Sequence, residues 1–450
     1  MPRLANPKSY KNASLKEVMQ KAKLVVNEEI DRSVFLSKGA HQPVPRFQLS
    51  ELDLGRVVGR GGFGQIRGVS SIKLSSGGGA SQKGGSNSGV SVTGGTPDEG
   101  NDGNNTVVTD EDQSKGTGSG LTSPSVHSSV GMSAITSETG TSACSREHLA
   151  RIVYGTKGKN KYVAKQAGEA PSKTNRVEYL RGVIDLAMEC KFLACLNHRN
   201  IVQLRGCSNH SPFSRTDFFI LLDRLPESLP QRLNAWSQLD RTTKGVTGVI
   251  TRGKRKVNDL LTDRLLVAYD IASAMEYLHE KNIVYRDLKP DNIGFTDDGV
   301  TQIFDFGLAR ELCDDDMVRG SSTHSNNKNS ALYHLTALCG AIRYMAPEVG
   351  LGEPYNLKAD VYSFSMLLHY FLALEPPMAT FTPHMFMESV FHKGYRPVAR
   401  DKWSPRLVSI LSKGWSANIT ERPSFLYIMS EIRDTLEEIN PNVLQLLPPM

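Results

Sequence analysis

Residues 15–33, LKEVMQKAKLVVNEEIDRS, place apolar side chains at helical spacing and predict an amphipathic helix ahead of the main body of the chain. Such a helix ordinarily packs on a neighbouring surface, and partner binding is its rarer use. Alternation takes over at LDLGRVV and predicts a strand. The pattern then lapses: from Ser75 to Ser145, 40 of 71 residues are Ser, Gly or Thr and none is aromatic. A segment of that kind cannot bury enough apolar surface to offset chain entropy, so it is expected to be disordered. Order is expected to resume at LARIVYGTKGKNKYVAKQ as a hairpin-like pair of strands with GKN at the turn, which makes the polar segment an insertion within one sheet. A helix is predicted through VIDLAMECKFLACL and a buried strand at FFILLD. A second polar insertion, basic and spanning about 242–257, precedes an apolar helix at DRLLVAYDIASAMEYLHEK. Beyond residue 285 come a dense loop region, a polar stretch at 314–335 and helical segments to the end. Strands early and helices late predict an α+β chain of two unequal lobes.

Composition narrows the class without naming a function. At 450 residues, 39% hydrophobic and 22% charged, the chain is ordinary for a globular protein with a sizeable core. A net charge of +6 makes no case for nucleic acid as a partner. The six cysteines form no CxxC pair and no zinc spacing, so a reducing compartment, cytosol or nucleus, is expected. The N-terminus lacks the apolar core of a signal peptide, and no run is long enough to span a bilayer.

The chemistry lies in four short motifs. Gly59-Arg60-Gly61-Gly62-Phe63-Gly64-Gln65-Ile66 brings backbone N–H groups close to a phosphate, because glycines remove the obstructing Cβ atoms. Dinucleotide-binding folds use similar glycines, but there a helix follows, and here strand and low-complexity sequence follow. The loop Tyr285-Arg286-Asp287-Leu288-Lys289-Pro290-Asp291-Asn292 supplies two carboxylates, an ammonium and an amide within eight residues. Asp305-Phe306-Gly307 stands 13 residues after Asn292, and Ala346-Pro347-Glu348 follows. With Lys165 in Tyr-Val-Ala-Lys and Glu189 on the predicted helix, these motifs resemble, in kind and in order, the signature set of eukaryotic protein kinases. The resemblance covers roughly residues 48–436 apart from the insertions.

That resemblance implies a bilobal protein kinase fold that binds ATP and Mg²⁺ in a cleft and phosphorylates Ser/Thr hydroxyls of protein substrates in signal transduction. It divides the chain into an extension at 1–47, a kinase domain at 48–436 with an activation segment at 305–348, and a tail at 437–450. It assigns Lys165 to the α- and β-phosphates, Glu189 to Lys165, Asp287 to the substrate hydroxyl, Lys289 to the γ-phosphate, and Asn292 and Asp305 to Mg²⁺. The glycine loop, Ile66, Val163, Asp223 and Leu225 are assigned to the nucleotide. Leu193, Leu204, Tyr285, Phe306 and Asp360 are expected to form a hydrophobic spine, and Glu348 and Arg422 a buried ion pair. Arg286 is expected to receive a phosphate placed on Thr336 by an upstream activating kinase.

Three departures stand out. Tyr285 replaces the usual His, and Ala341 stands where Ser/Thr kinases carry a Thr whose hydroxyl bridges Asp287 and Lys289. In the adenine pocket Val163 replaces Ala and Gly294 replaces Leu, so volume moves from floor to roof. The rival readings are a pseudokinase scaffold and a tyrosine or dual-specificity kinase.

Overall fold

The computed structural model describes residues 14–38, 42–61, 64–74, 145–155, 160–167, 176–244, 253–319 and 331–447. Most of the Ser/Gly/Thr-rich segment, the glycine-loop tip at Gly62 and Phe63, and residues 320–330 of the polar stretch fall outside them.

The first helix, α1 (Leu15–Arg32), begins where Ser14 and Glu17 form a capping box, each side chain accepting the other residue's backbone N–H. Val18, Met19, Ala22, Val25 and Val26 bury one face at helical spacing, so the expected amphipathic helix packs inward. A short helix, α2 (Val34–Lys38), follows Ser33.

A six-stranded sheet comes next, ordered β1-β5-β6-β4-β3-β2. Its strands are β1 (Arg46–Phe47), β2 (Leu52–Gly61), β3 (Gly64–Ile72), β4 (Tyr162–Ala167), β5 (Leu204–Ser208) and β6 (Phe219–Asp223). Among the described residues of this sheet, only β1 and β5 pair in parallel. The expected strand at LARIVYG is instead a helix, α3 (Arg146–Gly155). Leu149 and Val153, four apart, are buried against the sheet, and the Ser145 hydroxyl accepts the His148 N–H at the helix start. Residues 149–153 satisfy either period, and docking onto β3 selects the helical one. The polar insertion still separates adjacent antiparallel strands, β3 and β4.

Helix α4 (Arg176–Cys195) lies against both the sheet and α1, with Leu180, Ile184, Ala187, Phe192 and Leu193 buried. Helices α5 (Leu229–Lys244) and α6 (Gly253–Glu280) follow, joined by 245–252 outside the described residues, so the expected basic loop is partly helical. The larger lobe is built on α6 and on α7 (Pro347–Leu351), α8 (Lys358–Ala373), α9 (Pro405–Gly414) and α10 (Phe425–Ile439). The stretch expected to be a tail from 437 completes α10 and a 3₁₀ turn, Pro441–Leu446, which buries Val443. No helix among the described residues is long and apolar enough to cross a membrane. The buried faces of α1, α4, α6 and α8 belong to one continuous core, which therefore joins the N-terminal helix to both lobes.

Candidate active site

Residues distant in sequence meet where β4, α4 and the loops of the larger lobe converge. Lys165 projects from β4, pinned in register opposite Ile66 of β3 and Ile220 of β6. Its Nζ donates to Glu189 Oε2 at 2.7 Å and to Asp305 Oδ1 at 3.1 Å. Burial disfavours the charge on this ammonium, but Glu189 and Asp305 outweigh burial and hold it protonated above its ordinary range. Burial would also raise the Asp305 carboxyl, yet Lys165 beside it and Lys289 beyond hold it below the usual carboxylate value.

Asp287 lies in the loop between two short antiparallel pairs. One is β8 (Ile283–Val284) with β11 (Arg310–Glu311), and the other is β9 (Ile293–Phe295) with β10 (Thr301–Ile303), where β7 (Glu227–Ser228) pairs with the other edge of β9. Its carboxylate is held at three points. Lys289 Nζ donates to Oδ2 at 2.6 Å, Asn292 Nδ2 to Oδ2 at 2.8 Å, and the Ala341 N–H to Oδ1 at 3.1 Å. The amide nitrogen of Asn292 is thereby engaged. Ala341 lacks a hydroxyl, but its backbone still reaches Asp287. Gly340 makes that approach possible: its φ is +86°, and a Cβ there would stand 2.4 Å from the Arg286 carbonyl oxygen.

Arg286 and Asp305 are non-glycine residues with φ of 70° and 68°, a left-handed conformation that persists only where the surroundings over-determine it. At Arg286 the determinant is Asp360 on α8, whose carboxylate accepts the N–H groups of Tyr285 and Arg286 at 2.8 Å each. The Tyr285 ring meets Phe306 edge-on at 5.2 Å, and both join Leu193 and Leu204 in the main core. The buried Arg286 guanidinium donates to the Leu308 carbonyl at 2.6 Å and the Tyr355 hydroxyl at 3.5 Å. The Tyr355 hydroxyl in turn donates to the Thr336 carbonyl at 3.0 Å.

The family model for protein tyrosine and serine/threonine kinases matches residues 173–432, more than half of the sequence. The chain belongs to that family. Serine/threonine-protein kinase STY46 of Arabidopsis thaliana is 29% identical over 57% of this chain and 38% of its own length. Serine/threonine-protein kinase VIK of the same plant is 31% identical over 57% of this chain and 51% of its own length. Dual specificity protein kinase shkB of Dictyostelium discoideum is 32% identical over 42% of this chain and 27% of its own length. The chain therefore spans about half or less of the length of these relatives.

The matched stretch begins after the glycine loop and Lys165, so sheet register is what brings both to the kinase cleft. That cleft has a volume of about 600 Å³ with its open mouth included, and Gly64, Lys165, Glu189, Asp287, Lys289 and Asp305 are among its walls. Gly59 and Ile66 face each other across the β2–β3 pair that leads to the loop, and Arg60 and Gly61 continue β2. Val163 lies on β4 opposite Leu222. Gly294 is not an open floor: a Cβ there would come within 2.9 Å of Leu225 Cδ1, so Leu225 occupies the space a larger residue would fill. The Asp223 carboxylate takes a two-pronged contact from Arg205, at 2.9 and 2.7 Å.

One cleft residue escaped the motif reading. Asp185 precedes Glu189 by one helical turn, and that spacing was its available signal. Its Oδ2 has no hydrogen-bond partner among the described residues, and burial, followed by the Asp305 charge, pushes its carboxyl from 3.8 up to about 7. A raised folded-state value means that the charged form is penalised, so stability is lost as pH rises from about 4 to about 7. Asp185→Asn should raise the melting temperature of the nucleotide-free protein by several degrees at pH 8 and by less at pH 5. Thermal melts at the two pH values check this, and an equal shift at both contradicts it.

Proposed function

We propose that this protein is an ATP-dependent kinase for Ser and Thr hydroxyls of protein substrates. The observation that carries the reading is the Lys165 ammonium, bonded at once to Glu189 on α4 and to Asp305 of Asp-Phe-Gly, above an Asp287 carboxylate held at three points. Phosphoryl transfer mainly requires positioning and charge neutralisation, and these residues are arranged for both.

Lys165 binds the α- and β-phosphates, and Lys289 binds the γ-phosphate. Asp287 accepts the proton of the substrate hydroxyl. Burial raises its carboxyl and Lys289 opposes that rise, which keeps a base available beside the reacting oxygen. Four carboxylates in the cleft, Asp185, Glu189, Asp287 and Asp305, face two lysines, and Asp185 Oδ2 has no hydrogen-bond partner among the described residues. This deficit of positive charge fits a divalent cation, which the Asn292 carbonyl oxygen and the Asp305 carboxylate would hold. Bound Mg²⁺ supplies neutralisation of the phosphate oxygens. The protein substrate is assigned to a second, open depression of about 1010 Å³ with its mouth included, beside the loop, whose walls include Asp291, Ala341, Ile342 and Tyr344.

The Ser/Thr assignment rests on the Asp-Leu-Lys-Pro-Asp-Asn loop and on the names of the two Arabidopsis relatives. A dual-specificity reading has one observation behind it, the name of shkB. Activation by an upstream kinase at Thr336 is also part of the proposal, because Thr336 reaches Arg286 through Tyr355. Cytosol or nucleus is the proposed location, on the evidence of the free cysteines among the described residues.

A radiolabelled-ATP assay with Ser, Thr and Tyr peptides tests the proposal. Transfer to Ser and Thr is expected. Comparable transfer to Tyr would establish dual specificity, and no transfer to any peptide would leave a scaffold.

A further inference from the structure

The start of the activation segment is tied to the N-terminal helix by a chain of alternating charges. Arg310, on β11 just past Asp-Phe-Gly, forms an ion pair with Glu29 of α1 at 3.0 Å and donates to Asp316 at 3.1 Å. Arg32, one turn after Glu29, closes the chain on the other side of Asp316 at 2.6 Å. The inner three side chains are only 11–14% exposed, so water screens them weakly. Neutral contacts run alongside. The Glu311 carboxylate accepts the Ser33 hydroxyl and the Phe35 N–H, and Cys313 Sγ donates to the Arg32 carbonyl at 3.4 Å.

The same α1 is packed on α4. Val18, Ala22, Val25, Val26 and Leu36 share the core with Leu180 and Ile184, and Phe35 stacks on Phe192 at 6.3 Å. Helix α4 carries Glu189, and Asp305 opens the segment that carries Arg310. At the active site Lys165 bonds a carboxylate of each, and Asp185 of α4 also packs closely on Gly307. The N-terminal helix joins them a second time, on the far side, and so closes a ring: Glu189, Lys165, Asp305, Arg310, Glu29, α1, α4.

We propose that Glu29 and Asp316 are positioning residues for phosphoryl transfer. By enclosing the Arg310 guanidinium they fix the segment after Asp-Phe-Gly to α1, and α1 fixes α4, so Glu189 and Asp305 are presented together to Lys165. The carboxylates that neutralise Arg310 come from the protein's own helix and loop and need no phosphate. Residues 14–38 thus act as part of the catalytic scaffold, although their sequence lies outside every motif of the cleft.

The inference rests on the phosphotransfer reading for its kinetic arm and has a second arm independent of activity. The full chain is treated with phosphatase, so that phosphate on the activation segment is not a variable, and compared with Glu29→Gln and with Glu29→Gln/Asp316→Asn. At saturating ATP and peptide, kcat of the double variant should fall about tenfold or more, and the single variant should fall between. KM for ATP should change less than kcat, because the nucleotide's own contacts remain. The exchanged pair Glu29→Arg/Arg310→Glu should recover most of what Glu29→Arg loses. Amide hydrogen exchange should rise about tenfold in α4 and in 306–316 while the larger lobe stays protected.

Unchanged kcat, or an exchange increase spread evenly over both lobes, would overturn the proposal; the latter would reduce the cluster to general stability. If wild-type protein transfers no phosphate either before or after phosphatase treatment, the functional reading fails, and the exchange pattern alone decides whether the ring positions α4.

Discussion

Lys165→Met and Asp305→Asn should each leave a folded protein whose phosphotransfer falls by roughly two or more orders of magnitude. Both changes act on a single bifurcated contact, Lys165 Nζ between Glu189 and Asp305. The methionine keeps most of the packing volume on β4 and deletes the charge that orients the phosphates. Its removal strands Glu189, which is 1% exposed. Burial already raises the Glu189 carboxyl, so it can take up a proton where Lys165 no longer opposes that rise. This is why the fold should survive. Asn at 305 keeps the shape and an acceptor for Lys165 but loses the negative charge offered to a cation. Initial rates with a Ser/Thr peptide, alongside matched thermal melts, check both variants. Undiminished transfer in either, with the fold intact, would remove that residue from the catalytic set.

The second large effect is on stability. Arg422→Met should destabilise the protein by about 3–5 kcal/mol, the usual result of stripping a partner from a buried ion pair. Arg422 is fully buried and donates to both oxygens of Glu348, at 2.6 and 2.9 Å. It also donates to the carbonyls of Ser416 and Lys358, at 3.0 and 3.1 Å, and lies 5.3 Å from the Tyr362 ring centroid. Methionine fills part of the space but satisfies none of these acceptors, and it leaves the Glu348 charge without its counterion. Because α7 carries Glu348 directly after the substrate-side segment, activity should fall with stability. A melting temperature lower by about 10 °C is expected, and Glu348→Leu/Arg422→Met should recover part of the loss by removing both charges together. A melting temperature within a degree of wild type would show that the pair is dispensable.

Much of this site is legible along the chain because its chemistry is carried by short, closely spaced motifs. Asp287, Lys289 and Asn292 lie within six residues, and a loop that short brings their side chains together almost regardless of what surrounds it. Helix α4 and strand β6 were equally readable, since uninterrupted apolar runs admit few alternatives. Where two periods fitted equally well, as at Leu149–Val153, sequence alone could not choose, and burial against β3 decided for the helix.

The remaining features depend on contacts between distant residues. The engagement of Asp223 by Arg205, the occupation of the Gly294 floor by Leu225 and the placement of Asp185 beside Asp305 are products of which element lies next to which. Glu29 and Arg310 lie in separate parts of the chain, and no periodicity links residues so far apart. What the sequence by itself determined is the family and the two-lobed α+β class, because these follow from local pattern and motif order. What only the tertiary structure decided is which charges face one another and what holds them there. Electrostatic and packing energies depend on distance in space, and a linear sequence records distance only along the chain.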